Sequence, residues 1–571
     1  MSRTRISATA TTTVIALYCL VLKPQPLAAQ SSTTTPNTTP ATPPPNAPRY
    51  LEPTLTAALS APLPSLIYAT GGVPRVVPQK EYDPDPAGQM LTYQPGGATI
   101  TGTNAFFQSL GSNGRACITC HQPSSGFSVS TANIDARFVA SGGLLSALTG
   151  GLLATPKDPI FAPVDGATCP SNVPQNSSVL SLLNNHLAGT HLLSNPYSLL
   201  LKKGLFRIFL PVPKSTPSGA PTEYTITVLS DPYGCNTDPD YNTVKNADGS
   251  ISQIVSVYRR PLISTNLKFV STVSDQLGPP TDPLTGVPQP IDPYTGKPES
   301  GNIMWDGREP TLQSQAIDAT MVHAQALTPP TAEQVTQMVN FENGVYNAQL
   351  NETLAGVLDG SDGSGATGGP VALASDQAGL LNLGGPVFNL YDGWSSQEAL
   401  KLIQATQRAS IYRGQQIFNS RQFTISNVNG FNDIPAIGNN AVGTCGSCHN
   451  QVNAGSDGFA DAEHDLGTDG RNAAMPPSPD LPLFQLNCIS GPLKGKSFTV
   501  TDPGKALITG ECSDIGKFKV AQLRALAAHP PYFHNGAASS LLSVVNFYNT
   551  RFNIGLSNQD KQDLVNFLNA L

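Results

Sequence analysis

Apolar and polar side chains along this chain follow two periods. Between Tyr224 and Leu229 they alternate, as in a half-buried strand, and Phe206 to Val212 reads as a second strand. Elsewhere the spacing is helical. It predicts helices over Asn104–Leu110, Ser177–His186, Pro196–Lys202, Ala332 to about Leu350, Ser396 to about Phe418, Ser539–Thr550 and Ser557–Leu571. Ser557 is placed to cap the last of these, with Asp560 three residues on. Leu312, Ala316, Ala319 and His323 form a further amphipathic stripe. Helices exceed strands in this reading, so the expected fold class is mainly α, with a long, partly β and loop insertion over about 127–256.

The N-terminus carries Arg3 and Arg5, an apolar run from Val14 to Leu22, and Pro26-Leu27-Ala28-Ala29 before Gln30, the layout of a secretory signal. Export to the periplasm or beyond the cell is expected, with residues 1–29 removed. The run is too short to span a bilayer, and no later stretch is long and uncharged enough, so a membrane-spanning protein is not expected. Residues 30–66 are rich in Thr, Pro, Ala and Ser and read as a disordered linker, with ordered sequence from near Ile67. Two domains are expected beyond it, 67–395 and 396–571. The 51 Gly and 51 Pro, with only 12% charged residues, predict a loop-rich chain. Its formal charge of −7 argues against nucleic acid and fits a small basic partner.

The chemistry begins with Cys117-Ile-Thr-Cys120-His121, repeated as Cys445-Gly-Ser-Cys448-His449. In C-x-x-C-H the two sulfurs form thioethers to haem vinyl groups and the histidine becomes an axial iron ligand. A redox dithiol or half a zinc site is the alternative for one copy. Two distant copies, without a βαβ pattern or four neighbouring cysteines, favour two covalently bound haem c groups. Of the 9 cysteines, Cys19 lies in the signal and Cys169, Cys235, Cys488 and Cys512 remain. Exported, they are expected to pair as Cys169–Cys235 and Cys488–Cys512. His186 and His191 are candidate ligands for the first iron or ordinary polar histidines. The stretch from Gly278 to Ser300 has the Asp and Gly content for calcium but not the spacing of a calcium loop. Trp305, one of 2 tryptophans, reads on composition as a packing residue.

These motifs, with Arg259-Arg260-Pro261, Trp305-Asp306-Gly307-Arg308 and Tyr532-Phe533-His534-Asn535-Gly536, resemble the bacterial di-haem cytochrome c peroxidase and MauG family. The resemblance implies two cytochrome-c-like haem domains, with Arg259 and Arg260 on a strand before the tryptophan motif and Trp305 between the haems. The family carries a glutamine ten residues after that tryptophan, where Gln315 stands, and a catalytic glutamate twenty after it. Gln325 stands at that second place, so the carboxylate is missing. His323, two residues earlier, can exchange protons near neutral pH and is the expected acid–base residue, with Gln315 and Gln325 orienting the oxygen species. The family's distal ligand of the second haem lies fourteen residues after the signature histidine, methionine in the peroxidases and tyrosine in MauG. Here it is Tyr548, with Met475 and His464 as the other candidates.

The resemblance therefore implies a peroxidase reducing hydrogen peroxide with electrons from a small cytochrome or copper protein. A MauG-like or rubber-oxygenase-like oxidase, using oxygen, and a non-enzymatic electron carrier are the competing readings.

Overall fold

Gly344 divides two elements that the sequence reads as one. The computed structural model describes residues 76–142, 157–162, 197–281 apart from 247, 286–397 apart from 383, and 402–571 apart from 436 and 461. Within it the helix Ala332–Asn343 stops at Gly344, and Tyr346–Glu352 is a strand inside a four-stranded antiparallel sheet. Its neighbours are Gly88–Tyr93 on one side and Gly356–Val357 on the other, with Lys80–Asp85 outermost. The mainly α expectation is thereby corrected: among the described residues, helix makes up 28% and strand 20%. The reason is local. Ala348, Gln349 and Leu350 have good helix propensity, but pairing with Gly88–Tyr93 and burial from Tyr346 to Gln349 override it.

The predicted helices near the C-terminus are present with shifted ends, as Ile403–Ser420, Leu541–Arg551 and Asn558–Asn569. Ser557 caps the last, its hydroxyl accepting from the Asp560 N–H at 3.1 Å. The first and last pack face to face at Gly414, where a Cβ would lie 2.0 Å from the Asp563 carbonyl oxygen, so only glycine permits the contact. Asp563, buried there, accepts from Ser410 Oγ at 2.5 Å and Arg413 Nε at 2.8 Å. Phe388, Phe418, Phe567, Tyr391 and Trp394 fill this core. A second core gathers Phe106, Phe107, Phe127 and Phe341 around Ile118 and Met338. The helix expected over Asn104–Leu110 is only a 3-10 turn, Ala105–Phe107.

Two strands of the insertion lie within a residue of their expected ends, Phe206–Pro211 and Tyr224–Ser230, and they go to different sheets. Phe206–Pro211 pairs with Ile251–Arg259, which carries Thr243–Lys245 on its far edge. Tyr224–Ser230 instead pairs with Leu483–Cys488, itself paired with Ser497–Val500. The insertion is thus stitched to the C-terminal part of the chain, and a disulfide between Cys488 and Cys512 fastens that part to itself. Cys235 is also disulfide-bonded. The short helix expected at 196–202 is Ser198–Lys203. The signal, the linker, the start near Ile67, Cys169, the helix Ser177–His186, His186 and His191 lie outside the described residues. No helix among the described residues is long and apolar enough to cross a membrane.

Candidate functional site

Both Cys-x-x-Cys-His motifs form tight helical turns that present the histidine the same way. In the first, Cys117–Cys120 is a single turn whose start is held by the Ala116 N–H donating to Thr119 Oγ1 at 3.0 Å. In the second, Cys445–Ser447 is a 3-10 turn held by the Thr444 N–H donating to Ser447 Oγ at 3.0 Å. The histidine N–H then closes each turn onto the first cysteine carbonyl, at 3.0 Å in one and 3.1 Å in the other. His121 Nδ1–H donates to the Phe127 carbonyl at 2.9 Å, and His449 Nδ1–H to the Gly455 carbonyl at 2.6 Å. A carbonyl only accepts, so each Nδ1 carries the hydrogen and each Nε2 keeps its lone pair. Both acceptor residues are left-handed, at φ 55° for Phe127 and 69° for Gly455, which turns their carbonyls back onto the rings.

Electrostatics agree with neutral imidazoles. Burial pushes the His121 pKa down to about 4 against the Phe127 carbonyl, with a small further depression from His323. Burial lowers His449 as well. The four motif cysteines are not disulfide-bonded, although two residues separate each pair. Burial raises the Cys117 thiol and pushes Cys445 up to about 12, opposite to the depressed thiol of a redox dithiol or a zinc-bound thiolate. Half-buried thiols beside an imidazole with a free Nε2 are the donor set that thioether-bound haem requires, so these residues fit the group.

A cavity of about 420 Å³ is lined by both motifs together, and also by Arg259, Arg260, Trp305, Gln315, His323 and Tyr548. Trp305 Nε1–H donates to the Arg260 carbonyl at 2.7 Å, and its ring meets the edge of His534 at 6.2 Å. His534 stacks in turn on Phe518 at 3.8 Å. Arg259 makes a two-pronged ion pair with Asp502 at 2.7 and 2.9 Å and a third contact with Asp306 at 2.5 Å. Burial alone would favour a neutral guanidine, but the two carboxylates hold Arg259 cationic. Asp306 also accepts from Arg308 at 3.0 Å. Its burial, which would raise the pKa, is overcome by Arg308 and Arg259, and the carboxyl is held at about 2. Arg260 differs. It donates to the carbonyls of Lys203 at 2.7 Å, Val129 at 2.5 Å and His529 at 2.9 Å, and burial pushes its pKa down to about 9. Of the two arginines, Arg260 is the one whose cation these contacts leave without a carboxylate.

Gln315, Ala319 and His323 line the cavity at four-residue intervals, His323 being the C-cap of Leu312–Val322. The carbonyl of His323 accepts from Asn113 Nδ2 at 2.8 Å and Arg115 Nη1 at 3.3 Å, which fixes the helix end. Gln325 is not brought to this place. The helix has ended, Gln325 turns the chain at φ 54°, and its carbonyl accepts from Ser112 instead, so it is a turn residue outside the cavity lining. Tyr548, on Leu541–Arg551, lines the cavity near Cys445 and Cys448, and its hydroxyl is kept protonated by burial. His464 lines it too, with Nε2 3.3 Å from Asp457 Oδ2, whereas Met475 is buried away from it. Ser264, Glu342 and the insertion residues Phe206 and Ile208 also face the cavity. No spacing along the chain joins them to the motifs. Among the described residues, no group of three or more His, Cys, Asp or Glu gathers as a metal site.

No family model matches the chain. It is 34% identical over 137 residues to a protein of Denitromonas iodatirespirans named cytochrome-c peroxidase IdrP2, a match covering 23% of this chain and 36% of that one. Over this stretch the chain is similar to cytochrome-c peroxidases. A cytochrome-c peroxidase IdrP2 of Pseudomonas sp. (strain SCT) is 32% identical over 143 residues, covering 22% of this chain and 35% of the relative. The chain thus spans about a third of the length of these curated relatives. A solved structure described as a MauG-like protein associated with microbial copper homeostasis aligns with 54% of this chain and 82% of its own, at 17% identity and a TM-score of 0.24. That score carries no argument. Haem c is the group that the donor set of the two motifs fits.

Proposed function

We propose that the protein is an exported oxidoreductase with two covalent haem c groups, one on Cys117, Cys120 and His121 and one on Cys445, Cys448 and His449, that reduces hydrogen peroxide. The observation that carries this reading is the single cavity lined by both motifs, with Trp305 on its wall. When bound, the haem irons supply the two electrons that reduce peroxide, which with two protons yields two waters. The residues around them do the rest. His323, facing the same space as His121, takes a proton from one peroxide oxygen and returns it to the other, and Gln315, about two helical turns away on the same face, orients the oxygens by hydrogen bonding. Trp305 assists electron passage, its indole fixed by the Arg260 carbonyl. Tyr548 would offer its phenol oxygen to the second haem iron. Arg260 would offer its cation to a haem carboxylate, while Arg259 beside it is held by Asp502 and Asp306. The donor is a small cytochrome or copper protein.

Intact mass of the exported protein tests the foundation, since two haem increments are expected and none would overturn the reading. Peroxide turnover with a reduced small cytochrome tests the activity. A second reading, a MauG-like or rubber-oxygenase-like oxidase, is favoured by two features: tyrosine where the peroxidases carry methionine, and Phe206 and Ile208 of the insertion on the cavity wall. Oxygen uptake with an organic or protein substrate, and no peroxide turnover, would choose it.

A further inference from the structure

Behind His121 lies a carboxyl group that neither the peroxide reaction nor haem attachment uses. Glu342 is in the last turn of Ala332–Asn343, on a face that buries Val335, Met338, Val339 and Phe341. It is 7% exposed, and its Oε2 has no hydrogen-bond partner. A carboxyl in such surroundings is costly unless something nearby requires it. Burial pushes its pKa up to about 8, and the neighbouring Ser264 hydroxyl opposes this. Ser264 Oγ is in turn 2.6 Å from His121 Nδ1. The imidazole N–H therefore has two acceptors, the Phe127 carbonyl and the Ser264 hydroxyl, and that hydroxyl can pass its own hydrogen to the carboxyl. His449 lacks this relay: its ring meets the backbone of Gly455 and Ala521, and the nearby carboxylate of Asp457 is engaged by Asn450 and His464.

We propose that Glu342 is a positioning residue for the first haem: through Ser264 it draws on the Nδ1–H of His121 and makes Nε2 a stronger electron donor than that of His449. This rests on the reading of His121 as an iron ligand. A histidine whose far nitrogen is hydrogen-bonded to a carboxylate is a more basic ligand, and a more basic ligand favours the oxidised metal. The first centre consequently sits at a lower potential than it would with backbone partners alone. Ser264 transmits the effect, and neither residue touches the substrate.

Spectroelectrochemical titration of the full-length exported protein tests this, the first centre being identified by its response to cyanide. Glu342→Gln keeps the shape of the side chain and, at a working pH above 8 where the carboxyl is ionised, removes its charge. It should raise the ferrous-to-ferric ratio of the first centre at fixed potential by about tenfold, equivalent to 59 mV for a one-electron couple, and leave the second centre unmoved. Ser264→Ala should shift the first centre in the same direction, and the double variant should shift it no further. An unchanged first-centre potential in Glu342→Gln, or equal shifts at both centres, overturns the proposal. If either variant fails to accumulate, the other decides. Two haem increments in the wild-type mass with unmoved potentials would sink this proposal alone, while a wild-type chain without haem would sink the reading beneath it as well.

Discussion

His121 and His449 each give their Nδ1–H to the carbonyl six residues ahead, Phe127 in one motif and Gly455 in the other. Beyond that shared turn the two surroundings diverge. The first ring also meets Ser264, with Glu342 behind it, and looks across the cavity toward His323. The second sits against Phe418 and the packed helices Ile403–Ser420 and Asn558–Asn569, with Tyr548 and His464 on the cavity wall. Five contiguous residues are enough to build a haem attachment. What distinguishes one centre from the other is supplied by side chains outside the motif: Ser264 and Glu342 behind the first ring, and Asp457, His464 and Tyr548 near the second.

The seam between the two centres offers the strongest way to break this comparison. Arg259 joins Asp502 and Asp306, all three buried. Arg259→Ala leaves two buried carboxylates short of their shared cation, and a loss of about 3–5 kcal/mol in stability is expected from chemical denaturation. A loss under about 1 kcal/mol would show that the centres do not depend on this seam. Next in size is His323→Ala, expected to lower peroxide turnover on the order of 10²-fold while leaving the spectrum of the second centre as it was. Equal activity would remove His323 from its role and the chemical contrast between the centres with it.

Acid should act on the same seam. Asp306 has its pKa held at about 2, below the ordinary carboxylate value of 3.8, so its ion pairs contribute fully above pH 4. That contribution, about 2 kcal/mol, is lost as the pH falls from 4 toward 2. Asp306→Asn is expected to flatten the stability profile over that window. A profile as steep as that of the wild type would place the acid sensitivity elsewhere.

How much of this was legible along the chain depends on how local each feature is. The two Cys-x-x-Cys-His motifs are contiguous, as thioether and iron bonds to one haem would demand, and the Cys488–Cys512 pairing spans only 24 residues. Gln315 and His323 share a face because eight residues of regular helix separate them. Gln325, proposed from the spacing after Trp305 that the resemblance implies, lies past the helix end, where the backbone turns at φ 54°. The mainly α expectation failed for a related reason. Helix propensity across Ala348–Leu350 was real, but the partner strand Gly88–Tyr93, more than 250 residues away, decides the outcome. The contact of Ser264 with His121 was out of reach, because 143 residues separate them and only the fold brings them within 2.6 Å.

The smallest expected effect concerns Tyr548, and it sharpens the comparison from the second side. The ring lies between Phe533 and Phe552 at 6.3 Å from each, its helix is anchored by Val545 and Phe547, and its hydroxyl is not needed for that packing. Tyr548→Phe should therefore change stability by less than about 1 kcal/mol. If the phenol ligates the second iron, its removal takes away a hard anionic donor that stabilises the ferric state. The ferric absorption spectrum of the second centre is then expected to change and its potential to rise, with the first centre unaffected. An unaltered ferric spectrum would make Tyr548 one more aromatic in the wall, and His464, the other candidate facing the cavity, would be the residue to replace next.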